Sequence, residues 1–189
     1  SFFSQDKRYV QLKGEAFFEV QKDPEHRFIV STPAHTQIEV LGTSFNVEAF
    51  EKDSFISTTL VEGKVRFAYQ KEQQPVTIVM KPGQKLMYNT TSSQVKLIQT
   101  RGETETAWKD GKIVFLETPL PEALRILEKR FNVSFVLSND RLRKEAFNGA
   151  FTHQRLERIL EIFGISSNIK WRYLDPQNTT NEKTRIEIY

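Results

Sequence analysis

Along the first hundred residues, apolar and polar positions alternate in short runs. Ile38 and Val40 flank Glu39, and Phe45 and Val47 flank Asn46. Val65, Phe67 and Tyr69 alternate with Arg66 and Ala68, and Val76, Ile78 and Met80 with Thr77 and Val79. A period of two turns one side of each run toward a core and predicts half-buried strands. Gly42, Glu62-Gly63 and Pro82-Gly83 punctuate these runs. Proline presets φ and glycine accepts positive φ, so these positions predict turns. No helix of three turns is predicted before residue 118. Many short strands with regular turns predict an all-β domain over residues 1–100, built as a sandwich, a barrel or a β-solenoid-like stack.

Residues 101–107 are polar and aperiodic, which predicts a linker. Beyond them the period changes. Residues 113–115 read as a short strand. Thr118-Pro119 predicts a helix start, with Thr118 as N-cap and proline at the first helical position. Leu120, Ala123, Leu124, Leu127 and Phe131 then form one apolar stripe, which Asn132 closes. Residues 133–137 read as a buried strand. The order repeats: a strand at 147–151, Thr152 as N-cap, a stripe of Leu156, Ile159, Leu160 and Phe163, and Gly164 as C-cap. Strands at 169–173 and 184–188 follow, separated by a polar hairpin loop from Asp175 to Lys183. Residues 108–189 therefore read as a small α/β domain, β-α-β then β-α-β-β, with helices near 119–131 and 153–163. The helices are expected to cover one face of a single small sheet. Its open edges are then candidates for docking a partner strand. The favoured edge is residues 184–189, with Arg185, Ile186, Glu187 and Ile188, and the runner-up is the strand that begins at Phe147.

Composition narrows the function. The 15 Phe among 189 residues supply enough large apolar surface for a packed core. The formal charge of +3 is too small for a phosphate-binding stripe, which argues against nucleic acid. With no cysteine, disulfides, thiolate nucleophiles and cysteine zinc sites are excluded. No apolar run approaches the roughly 20 residues of a membrane helix. Ser1-Phe2-Phe3 reads as a cut into a longer protein. His26, His35 and His153 are too scattered for ligand spacing, so no metal or other cofactor is expected. The carboxylates are scattered, and Glu15 and Glu19 share one side of a strand. Ser31 and Ser44 lack a nucleophile elbow, and Gly42 and Gly63 lack phosphate-loop spacing. The chain is expected not to be an enzyme. Arg141, Arg143 and Lys144 form a small basic cluster, read as a solvated loop or as a contact for an acidic partner.

The chain resembles the extracytoplasmic region of FecR-family anti-sigma factors of the Bacteroidetes type. The first part carries Gly14-Glu15-Ala16-Phe17-Phe18-Glu19-Val20, Leu41-Gly42-Thr43-Ser44-Phe45-Asn46-Val47, Thr59-Leu60-Val61-Glu62-Gly63-Lys64-Val65 and Pro82-Gly83-Gln84. The second carries Trp108-Lys109-Asp110-Gly111-Lys112-Ile113-Val114-Phe115, Pro119-Leu120 and Leu124 to Glu128. It is similar to the short N-terminal domain of secretins and TonB-dependent receptors. The resemblance implies the periplasmic sensing region of a single-pass inner-membrane protein. Its implied partners are the N-terminal signalling domain of an outer-membrane TonB-dependent transporter and, through a cytoplasmic segment outside this chain, a sigma factor. It implies no catalytic or metal-binding residues. The alternative reading is a carbohydrate-binding β-sandwich or a glycoside hydrolase accessory domain, for which Phe17, Phe18 and Tyr88 are the candidate aromatics.

Overall fold

The computed structural model describes residues 7–174 and 183–189, so most of the expected loop from Asp175 lies outside the described residues. The chain divides into two compact units, Ser1–Lys109 and Asp110–Tyr189.

The described residues of the first unit contain ten strands: β1 (Lys7–Gln11), β2 (Gly14–Val20), β3 (Arg27–Ser31), β4 (Gln37–Val40), β5 (Thr43–Ala49), β6 (Phe55–Glu62), β7 (Val65–Lys71), β8 (Gln74–Met80), β9 (Gln84–Asn89) and β10 (Val95–Gln99). They form two five-stranded sheets, ordered β1-β3-β4-β7-β8 and β10-β9-β6-β5-β2. Among the described residues of this unit only β1 and β3 pair in parallel. The alternation seen in the sequence fills one core between the sheets. Ile38, Val40, Val65 and Phe67 come from the first sheet, and Phe45, Val47, Leu60 and Leu86 from the second. The architecture is a sandwich wound from hairpins. The chain passes from one sheet to the other after β1, β2, β4, β6 and β8, and the register brings the last four of these crossings to the same end.

Glycine makes those crossings possible. A Cβ at Gly42 would lie 2.6 Å from the Lys22 Cα. Gly63 has φ of +90°, and a Cβ there would lie 2.6 Å from the Gly42 carbonyl oxygen and 2.8 Å from Thr43 Oγ1. Gly83 donates its N–H to the Leu60 carbonyl at 2.9 Å. The opposite end carries the β1-to-β2 passage and the hairpins. In the tightest of them Glu72 and Gln73 both hold positive φ, 50° and 64°, the primed turn that matches strand twist.

The expected linker is folded into this unit. Glu103–Thr106 form a helical turn, α1, and Ala107–Asp110 a 3₁₀ turn with Ala107 buried. This segment lies on the second sheet, away from the sandwich core. Trp108 Nε1 donates to Asn46 Oδ1 at 3.1 Å, and Lys85 pairs with Glu105 at 3.3 Å with both side chains largely buried. Polar residues cannot mark a linker where they meet polar partners on a covered sheet face.

The second unit contains β11 (Ile113–Pro119), α2 (Leu120–Phe131), β12 (Val133–Leu137), a 3₁₀ turn (Asp140–Lys144), β13 (Ala146–Phe151), α3 (Leu156–Ser167), β14 (Trp171–Leu174) and β15 (Thr184–Ile188). The β-α-β, β-α-β-β order is as expected, but the single sheet is not. Among the described residues β11 pairs only with β13, antiparallel, and β12, β15 and β14 form a separate three-stranded sheet. Each helix connects one sheet to the other instead of crossing over within a sheet. One core joins both sheets and both helices: Phe115, Phe147, Phe163, Leu120, Leu127, Ile159, Leu160, Ile186 and Ile188 are all buried in it.

The helix ends correct three expectations. Pro119, not Thr118, is the N-cap of α2; the Leu120 N–H is taken by the Glu145 carbonyl at 2.8 Å, and the Thr118 hydroxyl instead accepts the Leu116 N–H in a β11 bulge. Arg155, not Thr152, precedes α3. Gly164 lies inside α3, at a point where a Cβ would sit 2.8 Å from the Ile169 carbonyl oxygen; Asn168, with φ of 53°, ends the helix. Asn132 closes α2 as expected, at φ of 53°.

Two stability outcomes follow. Leu127 is fully buried. Replacing it with alanine should cost about 2–5 kcal/mol in a denaturant titration, from lost transfer energy plus a cavity. Gly63→Ala should cost about 1–3 kcal/mol by the same measurement, because a non-glycine residue must hold a left-handed backbone.

Candidate functional site

Strand register places the expected docking residues. Thr184–Ile188 is not an edge: β15 is the middle strand of its sheet, parallel to β12 and antiparallel to β14. Ile186 and Ile188 are fully buried. Their alternation looks the same in an edge strand and in a strand whose one face meets the core, so sequence alone could not separate the two. Arg185 is exposed. The Glu187 carboxylate is committed internally: it accepts the Ser138 hydroxyl at 2.6 Å and Arg172 Nε at 2.6 Å. These bonds, first Ser138 and then Arg172, hold its pKa below the ordinary glutamate value.

Phe147 is also a core residue, stacked on Phe163 with ring centroids 3.9 Å apart. Its strand is nonetheless an edge, since β13 pairs only with β11 among the described residues. The other edges are partly blunted. The Phe135 N–H on β12 is taken by the Glu128 carboxylate at 2.7 Å, and the β11 bulge spends the Glu117 N–H on Asn148 Oδ1 at 2.8 Å. Arg141 and Arg143 are exposed on the 3₁₀ turn, where Arg143 pairs with Asp140 at 2.7 Å. These cations and the β13 strand belong to consecutive elements.

A feature that sequence did not disclose is a shallow groove beside the C-terminal end of α3. Gly164, Ile165, Ile169, Lys170, Trp171 and Tyr189 line it. Ile165 is 81% exposed, which is unusual for a large aliphatic side chain on an amphipathic helix. The Trp171 and Tyr173 rings meet edge to face nearby, and the Tyr173 hydroxyl donates to Glu157 at 2.6 Å.

Several residues singled out for chemistry have other engagements in the structure. Among the described residues no group of three or more His, Asp or Glu is placed to hold a metal ion. His26 is engaged by Asp23 at 2.9 Å. Glu15 accepts the Asn46 amide at 2.8 Å. Tyr88 is buried in the sandwich core and Phe18 packs against it, while Phe17 lies under the Lys109 ammonium at 5.4 Å. No row of exposed aromatics results from these three. None of the described helices is long and apolar enough to cross a membrane.

Two family profiles match in order along this architecture. The FecR protein family matches residues 1–66, which contain the Gly42 and Gly63 crossings. The FecR C-terminal family matches residues 112–180, which contain both long helices. The chain belongs to the FecR family. Two crystal structures of a candidate anti-sigma factor from Parabacteroides distasonis are similar to it over its whole length. Each is 29% identical, and the match covers 100% of this chain and 82% of the other, with TM-scores of 0.76 and 0.74. No curated protein matches the chain. In this FecR-family chain, the first profile thus ends just after the crossing that brings β6 to β7.

The committed state of Glu187 has a measurable sign. A carboxylate with a lowered folded pKa contributes stability above its unfolded value and loses it as pH falls through the folded one. An NMR titration of the Glu187 carboxyl should give a midpoint below the ordinary 4.5. Arg172→Gln should move that midpoint upward.

Proposed function

We propose that this chain is the extracytoplasmic sensing region of an anti-sigma factor. In this reading it relays a signal from an outer-membrane TonB-dependent transporter to an extracytoplasmic-function sigma factor held by a cytoplasmic segment outside the chain. The observation that carries it is the order of the FecR and FecR C-terminal matches on one chain. The similarity to a candidate anti-sigma factor over the full length supports it. The role asks for surfaces and not for reacting groups, and it places the chain in the periplasm as part of an inner-membrane protein.

The docking partner is the transporter's N-terminal signalling domain, and its seat is the second unit. Strand addition needs an open edge with unspent backbone donors and acceptors. The runner-up strand β13 offers that edge, in place of the internal β15. The exposed Ile165 beside the α3 groove adds apolar surface on the same unit.

Hydrogen exchange on the complex with the cognate signalling domain tests this. Alternate amides of residues 146–151 should gain protection on binding. Residues 184–188 should already be protected in the free chain, because their strand is paired on both sides. Protection gained only within residues 7–109 would place docking on the first unit and overturn the assignment of the seat. Absence of binding would overturn the relay.

A further inference from the structure

The inter-sheet crossings shape a pocket of about 150 Å³ in the first unit. Val40 and Leu41 provide an aliphatic lining, and Arg27, Glu39, Lys64 and Arg66 the charged one. Their positions are set by strand register and by the crossings themselves. Glu39 on β4 stands directly opposite Arg66 on β7. Arg27 on β3 reaches the Glu39 carboxylate with Nη1 at 3.3 Å. The backbone of Lys64 is clamped by Thr43, whose hydroxyl donates to the Lys64 carbonyl at 3.0 Å and accepts the Lys64 N–H at 3.4 Å. Gly63, immediately before it, is held against Gly42. The pocket therefore rests on the most constrained backbone in the unit.

Its charge is unbalanced. Three cations share one carboxylate, and Arg27 already occupies that carboxylate. The Lys64 and Arg66 side chains have no hydrogen-bonding or ionic partner among the described residues. Single exposed ion pairs contribute little, but several like charges around one concavity focus potential on an anion. A guanidinium presents paired N–H groups that match the two oxygens of a carboxylate. The aliphatic lining sets a second requirement. Leu41 is 43% exposed, so a ligand with methylene groups would cover surface that a bare inorganic anion leaves wet.

We propose that this pocket binds a carboxylate carried on a short aliphatic stem, as presented by a glutamate-rich segment of a protein partner. Arg66 and Lys64 hold the carboxylate, Arg27 adds to the field, and Leu41 receives the stem. The site belongs to the first unit and stands whether or not the transporter docks on the second.

The test is a titration of the ¹⁵N-labelled chain with a tetraglutamate peptide and, in parallel, with inorganic phosphate. Saturable amide shifts are expected at Gly42, Thr43 and Lys64 with the peptide. Arg66→Gln and Lys64→Gln should each weaken peptide binding about tenfold, as the loss of a charge-assisted hydrogen bond predicts. Both side chains are solvent-exposed, so retained spectral dispersion will show that the variants fold. Glu39→Gln should tighten binding about threefold by removing the one competing carboxylate. Phosphate should bind at least about tenfold more weakly than the peptide, because it leaves the aliphatic lining uncovered. Shifts that do not saturate, binding indifferent to both cation variants, or phosphate binding as tightly as the peptide would each overturn the proposal.

Discussion

The close approach of Gly63 to the Gly42 carbonyl is the constraint on which the first unit depends. The chain passes between the two sheets four times at one end, and neighbouring passages lie closer than a Cβ allows. Widening them would move the start of β5 away from the start of β7. Those two strands carry Phe45 and Phe67 into the core from opposite sheets, and both are fully buried. Interiors packed to this density do not absorb a displacement of that kind without cost. The Thr43 hydroxyl fastens the same point, bonded to both the carbonyl and the N–H of Lys64. Backbone permission, one hydroxyl and the facing core residues thus act at a single place.

A second constraint is the covered polar face of the β10-β9-β6-β5-β2 sheet. Asn46, Thr59 and Lys85 point away from the sandwich core and are nonetheless buried. Burial of such groups is tolerable only when they are hydrogen-bonded or paired. Glu105 and Trp108 supply partners for Lys85 and Asn46. The segment from Thr100 to Lys109 is ordered by those bonds. The second unit solves a different problem with the same economy. Two small sheets, neither large enough to be stable alone, share one core through two helices. Asn132 and Asn168 end those helices in the left-handed conformation and turn the chain into the next segment.

Residues that look reactive in isolation are spent internally: Glu187 on Ser138 and Arg172, Asp23 on His26, and Glu15 on Asn46. What stays available is of two kinds. The second unit retains a free strand edge and an exposed isoleucine, while the first retains unpartnered cations beside an aliphatic lining. Each kind suits a peptide or a protein surface.

Sequence by itself determined the strands, the two helical stripes and the glycine turns. Each follows from local periodicity and backbone permission, which act over a few residues: Val65, Phe67 and Tyr69 face the core whichever strand lies beside them, and Leu124 and Leu127 share a helix face wherever that helix packs. The FecR resemblance was legible for the same reason, because its segments are the turns and strands around Gly42 and Gly63. Tertiary structure decided which strands are neighbours. Hydrogen-bond pairing joins residues far apart in the chain, so nothing near Thr184 to Ile188 could reveal that β12 and β14 would enclose it. The same holds for Lys85 and Glu105, far apart in the chain and buried together by the fold. It holds too for Arg27, Lys64 and Arg66, gathered from two segments by register. Local chemistry settled what each segment is, and long-range pairing settled which residues remain free to meet a partner.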